Sequence, residues 1–269
     1  MSSAKYQASG VKEAAGGQFS LPQAFKIIEI RPENAATKTF VLDGRLAADA
    51  GQFAMVWLPG QEDKPFSLAD ADPLTLTIAA VGSFSHVLHQ LKVGDYLWVR
   101  GPLGRGYRLP NEPGRHLLLI GGGYGAAPLL FLARKALAAG QQVSVIIGAR
   151  TEEGLLLVKD FETLGVSLRL TTEDGSAGQH GLVTDALVSM TASASKPDEV
   201  YACGPVGMLQ AIAARCQVEN IPVQLSWEAH MRCGLGLCGS CEVGLGWLTC
   251  LDGPVFEFNP LAVPPEKAS

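Results

Sequence analysis

The sequence predicts a multidomain α+β chain: an antiparallel β-barrel, then an α/β unit on a parallel sheet, then a small C-terminal domain bearing four cysteines. Three observations lead there. Short β-type runs separated by turn signals fill the first hundred residues, strands and helices alternate from about residue 114, and regular pattern fades where the cysteines gather. A length of 269 residues allows about two domains with room for a third small one. Hydrophobic content of 47 % against 17 % charged residues describes a soluble globular chain with ample core. The net charge of −5 gives no reason to expect nucleic acid or an anionic membrane as partner.

Residues 1–18 are rich in Ala, Gly, Ser and Lys without period, which predicts a disordered tail. The first domain is expected over 19–113, with strands at 25–30, 37–42, 53–58, 74–80 and 96–100. Asp49-Ala50-Gly51, Leu58-Pro59-Gly60 and Val93-Gly94-Asp95 supply turns between them. One helix, 85–91, interrupts the series. The second domain is expected over 114–222. Apolar runs at 117–120, 143–147, 167–171 and 199–202 read as strands, and 127–139, 155–164 and 207–219 as helices. That alternation argues for a parallel sheet covered on both faces. Residues 223–269 read as an appendage rather than an independent core. The most apolar stretch, 117–133, is broken by four glycines and Pro128, so no membrane span is expected. The first residues carry no apolar h-region, which predicts a cytoplasmic, reducing location without disulfides.

Cys233, Cys238, Cys241 and Cys250 fall in a C-x4-C-x2-C-x8-C pattern, the plant-type spacing for a [2Fe–2S] cluster. Two bridged irons need four thiolates in a small volume, so three ligands must come from one tight wrap. Gly234, Gly236 and Gly239 alternate with those ligands and can take the positive φ that such a wrap demands. Structural zinc is the alternative, but it usually uses two short Cys knuckles. Cys216 lies in a helical pattern and reads as a buried small hydrophobe.

Gly121, Gly122, Gly123 and Gly125 follow a strand and precede a helix, the context in which a dinucleotide pyrophosphate approaches a helix N-terminus. Many such turns hold glycine for packing alone. The acidic ribose-binding residue of the dinucleotide fingerprint is not evident near 141–150, which leaves NAD against NADP open. Cys203, Gly204 and Pro205 form a second strand-end turn, where Cys203 would face a nicotinamide or be plainly buried. Lys64, Pro65, Phe66 and Ser67 combine a cation, a fixed turn, a ring and a hydroxyl, suited to a flavin edge and its diphosphate. Unaided, they read as an ordinary loop. Gly82, Ser83 and Ser85 could seat phosphate on helix amides or simply cap the helix. No catalytic residue and no G-x-S-x-G nucleophile are found.

The order of these pieces resembles the ferredoxin-reductase-like flavoproteins. Residues 228–241 and the closing Thr249-Cys250-Leu251-Asp252-Gly253-Pro254-Val255-Phe256 narrow it further. They look like the electron-transfer subunits of NAD-dependent, two-subunit dihydroorotate dehydrogenase, with likeness from about residue 20 to 260. The resemblance implies FAD in the barrel domain, NAD at the α/β domain and a [2Fe–2S] cluster in the C-terminal domain. It also implies an FMN-containing catalytic partner, two of each subunit, that oxidises dihydroorotate to orotate in pyrimidine biosynthesis. Carried over residue by residue, Lys64, Pro65, Phe66 and Ser67 match the flavin motif, and Gly82 and Ser85 the phosphate motif. Gly121 to Gly125 with Cys203, Gly204 and Pro205 match the nicotinamide side. The family typically has arginine where Lys64 stands; lysine keeps the charge without the bidentate fork. The alternatives are a subunit of a ferredoxin, sulfide or hydrogenase-type reductase, or a non-catalytic zinc module.

Overall fold

The computed structural model describes residues 21–191, 196–244 and 246–257. The tail expected over 1–18 lies outside them. Six strands, β1 (Gln23–Pro32), β2 (Thr37–Leu42), β3 (Phe53–Trp57), β4 (Lys64–Ala71), β5 (Leu74–Ala79) and β6 (Tyr96–Leu103), close a barrel in the order β1-β2-β5-β4-β3-β6. Every pairing in it is antiparallel. Ile27, Phe40, Leu42, Leu68, Leu76 and Ile78 fill the interior, and Phe84 and Leu88 of the short helix α1 (Ser83–Leu88) join that core.

Within the barrel, the element absent from the sequence expectation is β4, because Lys64 to Ser67 open a strand rather than a loop. Pro65 pairs with Met55 of β3, whereas β5 joins β4 only from Leu68 onward. That half of β4 is an open edge, where a proline without an N–H is tolerated.

The second sheet runs β10-β9-β8-β7-β11-β12-β13, from β7 (His116–Gly122), β8 (Gln142–Ala149), β9 (Ser167–Thr172), β10 (Gln179–His180), β11 (Glu199–Cys203), β12 (Val223–Ser226) and β13 (Val255–Phe256). All neighbours are parallel except β12 and β13. Helices α2 (Ala126–Ala138) and α3 (Val158–Thr163) cover the face toward the barrel, and α4 (Val183–Thr191) and α5 (Val206–Glu219) the other. Along β7, Leu117 and Leu119 face the first layer and Leu118 and Ile120 the second, as strand alternation requires.

The described part of the 223–269 segment, 223–257, therefore starts in this sheet with β12 and returns to it with β13. A four-residue strand behind Pro222 is too short to register as a pattern. Between β12 and β13 the chain makes the cysteine-bearing excursion, whose Met231, Cys241 and Cys250 pack on Phe53, Met55 and Leu103 of the barrel. From β7 the order departs through β8 and β9 on one side and through β11 and β12 on the other. The carboxyl ends of β7 and β11 thus form a topological switch point, where open α/β sheets bind ligands.

Candidate functional site

On the cysteine loop Gly234, Gly236 and Gly239 hold φ of +62°, +75° and +73°, the left-handed conformation expected from their spacing. Leu235 N–H donates to Cys233 Sγ at 3.3 Å, and Gly236 N–H to Cys250 Sγ at 3.2 Å. Cys238 Sγ lies 2.8 Å from Ser240 Oγ, and Cys238 neighbours Cys233 while Cys250 neighbours both Cys241 and Cys233. Cys241 and Cys250 are buried while Cys238 is exposed, and all six cysteines are free thiols. Among the described residues no three His, Cys, Asp or Glu side chains converge on a single ion.

A cavity of about 240 Å³ opens where barrel meets sheet. Phe53, Pro65, Phe66 and Ser67 line it from the barrel, Tyr124 and Cys203 from the sheet ends, and Trp227, Glu228 and Met231 from the chain entering the cysteine loop. Phe66 is backed by Phe84, with ring centroids 6.3 Å apart. The Tyr124 hydroxyl donates to Glu228 Oε2 at 3.2 Å, spanning the cavity mouth. Desolvation, with Glu228 second, pushes the phenol up to about 12. Desolvation also raises the Glu228 carboxyl, against the hydrogen bond from Tyr124. Burial pushes the Cys203 thiol up to about 12, so it stays protonated at neutral pH.

Lys64 is not brought to this cavity. It lines a neighbouring groove with Trp57, Asp63 and Arg232, and its Nζ lies 2.9 Å from Glu62 Oε2. Ser85 caps its own helix: Oγ accepts from Val81 and Gly82 N–H and donates to the Gly82 carbonyl, each at 3.0 Å. Ser83 and Gly82 are exposed beside it.

A second cavity, about 560 Å³, lies beyond the strand ends. Gly122, Gly123 and Pro205 line it with Arg150, Thr171 and Glu173. The two glycine turns pack directly on each other. A Cβ on Gly125 would stand 2.5 Å from the Cys203 carbonyl carbon, and one on Gly122 would stand 2.7 Å from Met208 Sδ. Gly121 is equally close-packed, 3.0 Å from Ile147 Cδ1 by the same measure. The cavity does contain a carboxylate, Glu173, which follows β9, one strand beyond the 141–150 region. Sequence reasoning did not assign Tyr124, Trp227, Glu228, Thr171 or Glu173 to a site. Tyr124 and Glu228 carried a signal, since one interrupts the glycine turn and the other opens the cysteine segment.

Barrel, switch-point sheet and cysteine loop define a ferredoxin-reductase-like oxidoreductase with an appended iron–sulfur module. Residues 119–214 match the family model of the oxidoreductase NAD-binding domain. Residues 228–262 match that of the iron-sulfur cluster binding domain of dihydroorotate dehydrogenase B. The probable dihydroorotate dehydrogenase B (NAD(+)), electron transfer subunit of Pyrococcus furiosus is 43 % identical over 224 residues, covering 83 % of this chain and 85 % of that one. The corresponding protein of Methanocaldococcus jannaschii is 39 % identical over 237 residues, 87 % and 89 % of the two chains. In three dimensions the chain is similar to a chain of the NADH-dependent reduced ferredoxin-NADP oxidoreductase structure, with TM-score 0.78, 31 % identity, and 86 % and 87 % coverage. The chain belongs to the family of electron-transfer subunits of dihydroorotate dehydrogenase B.

Proposed function

We propose that this chain passes electrons from a partner subunit's FMN to NAD, through a [2Fe–2S] cluster on its cysteine loop and FAD at the barrel–sheet seam. Continuity between the sites carries this reading. The cysteine loop packs through Met231 on Phe53, and both residues also line the first cavity. Cys203 in that cavity leads into Gly204, whose Cβ position lies 3.1 Å from Gly122 in the wall of the second.

The residues suit the groups. Cys233, Cys238, Cys241 and Cys250 would hold the cluster, with Leu235 and Gly236 N–H groups already aimed at sulfur. The cluster, when bound, supplies single-electron transfer. Pro65, Phe66 and Ser67 would hold the flavin against Tyr124 and Trp227. Trp227 Nε1 is buried without a partner, a donor whose cost an isoalloxazine acceptor would remove. Lys64, with Gly82, Ser83 and Ser85, would lie toward the diphosphate. FAD, when bound, exchanges either one or two electrons and so joins a cluster to a hydride carrier. Gly121, Gly122, Gly123, Gly125, Cys203, Gly204 and Pro205 would form the nicotinamide dinucleotide side. Thr171 Oγ1 is buried and unpartnered in that cavity, and Glu173 offers a ribose hydroxyl a carboxylate.

The partner, on this reading, is the FMN-bearing catalytic subunit that oxidises dihydroorotate, assembled two and two in the cytoplasm. No described helix is long and apolar enough to cross a membrane. Replacing Cys238 by Ser is the test. The cluster is lost or destabilised while FAD stays, so NADH-to-dye turnover survives and partner-to-NAD transfer fails. Normal partner-to-NAD transfer in C238S takes the cluster off the route. The likeness to the ferredoxin-NADP enzyme supports a second reading with a different partner, which co-purification of a subunit rich in further iron–sulfur clusters would favour.

A further inference from the structure

Arg100 stands between the barrel and the cysteine loop. It sits on β6 opposite Met55, and its side chain is only 11 % exposed. Nη2 donates to the Cys233 carbonyl at 2.8 Å and lies 3.3 Å from Asp63 Oδ2. Nη1 is buried and has no hydrogen-bond partner. A guanidinium cannot shed its proton in a protein, and a buried charge is costly unless fully paired. Its one carboxylate partner among the described residues, Asp63, is 32 % exposed and so partly screened by water.

What remains to balance Arg100 is the loop it touches. Cys233 is the first of the four cysteines, and a Cβ on the next residue, Gly234, would stand 3.4 Å from Arg100 Nη2. Four thiolates around two irons make an anion, and reduction adds one more negative charge to it. Cluster potentials respond to net charge, hydrogen bonding and solvent exposure. The other cations nearby, Lys64 and Arg232, face the open groove, where solvent and salt weaken their field.

We infer that Arg100 is a positioning and charge-tuning residue of the iron–sulfur site. It anchors the backbone of the first ligand and makes the cluster easier to reduce, with Asp63 holding that effect in check. The inference rests on the cluster reading above and deepens it. At separations on the order of 10 Å and an effective dielectric of about 20, one unit charge changes a one-electron equilibrium roughly tenfold.

The test is an anaerobic redox titration of the cluster signal, followed by electron paramagnetic resonance, in the full complex. Arg100→Gln is expected to lower the equilibrium constant for cluster reduction about tenfold, which is about 59 mV for one electron. Asp63→Asn, which strips the guanidinium of its counter-charge, is expected to move it the other way. Arg100→Lys keeps the charge and is expected to stay within about threefold of wild type. A residue with only a structural role would lower cluster content in both variants without opposite shifts. Potentials that do not move, or that move together in R100Q and D63N, overturn the inference. If R100Q fails to hold a cluster, D63N decides alone: an unshifted potential there overturns it. Wild-type protein without iron and sulfide would instead remove the cluster reading itself.

Discussion

Gly125 is where the two nicotinamide-side motifs meet, and replacing it by alanine tests whether that meeting matters. Its backbone is ordinary right-handed helical, φ −61° and ψ −11°, so alanine brings no conformational strain. The added carbon, however, would stand 2.5 Å from the Cys203 carbonyl carbon and 2.9 Å from Gly204 N. Ordinary contact begins near 3.5 Å, so the two strand ends must separate by roughly 1 Å. Overpacking of this kind costs about 1–3 kcal/mol, and because Gly125 is the N-cap of α2, where glycine is preferred over alanine, no helix-propensity gain offsets it. The net loss of stability is therefore about 1–3 kcal/mol. The functional loss is separate from it, because a 1 Å misplacement near reacting groups can cost about a hundredfold in rate. Stopped-flow reduction of the bound flavin by NADH should slow 10- to 100-fold in G125A, while thermal unfolding falls by roughly 2–12 °C. Gly207→Ala is the control for the fold, since its Cβ meets nothing within 4 Å and its melting temperature should hold or rise. Flavin reduction in G125A within twofold of wild type would refute the apposition of the two turns as the nicotinamide site.

Trp227→Phe keeps most of the ring volume but deletes the unpartnered indole donor; FAD retention after gel filtration should fall several-fold, and unchanged flavin content removes Trp227 from the flavin contacts. Burial pushes both the Cys203 and Cys216 thiols up to about 12 from 9.0, so at pH 8 each is about a thousandfold poorer in thiolate than an ordinary thiol. Both should resist iodoacetamide at pH 8 in the folded protein and react once it is unfolded, with labelling gaining only as pH approaches 12; mapping either label to native protein at pH 8 contradicts their burial.

The cysteine loop was the most legible part of the site, because its constraint is local. Ligand spacing and glycine placement act over eighteen residues, and the positive φ values of Gly234, Gly236 and Gly239 follow from that wrap alone. From sequence, Lys64 to Ser67 read as a loop for the opposite reason. Pro65 looks like a breaker until β5 is seen to leave that edge of β4 unpaired, and only tertiary pairing decides this. Helix α4 is different again. Val183, Ala186, Leu187, Met190 and Thr191 are its buried residues, spaced three, one, three and one as an amphipathic helix requires, so its signal is present in the sequence although the expected elements above do not include it. Arg100 had no signal at all. Nothing in the run before Gly101 and Pro102 announces a neighbour 133 residues away.

The position of the first cavity depends on what holds barrel and sheet together, and magnitudes separate the candidates. Arg31 of the barrel meets Asp160 of α3 at 3.4 Å, and Arg134 of α2 pairs with Asp70 of β4. Both arginines are about 40 % exposed, and such pairs contribute about 0–1 kcal/mol and weaken with salt. Tyr107, on the connection between the two sheets, is buried. Its hydroxyl donates to the Ala202 carbonyl at 3.1 Å, and its ring meets Tyr201 edge-on at 5.7 Å. A Cβ on Gly51 would stand 2.7 Å from the same ring, so barrel and sheet both close on it. Burying such a ring contributes about 1.5–3 kcal/mol, its aromatic contact about 0.5–1.5 and its hydrogen bond about 1. Tyr107 therefore outweighs the two ion pairs together. The carbonyl it holds belongs to the residue before Cys203, so the group that fixes the domains also fixes the sheet-side wall of the cavity. High salt should loosen the Arg31 and Arg134 contacts without moving that wall.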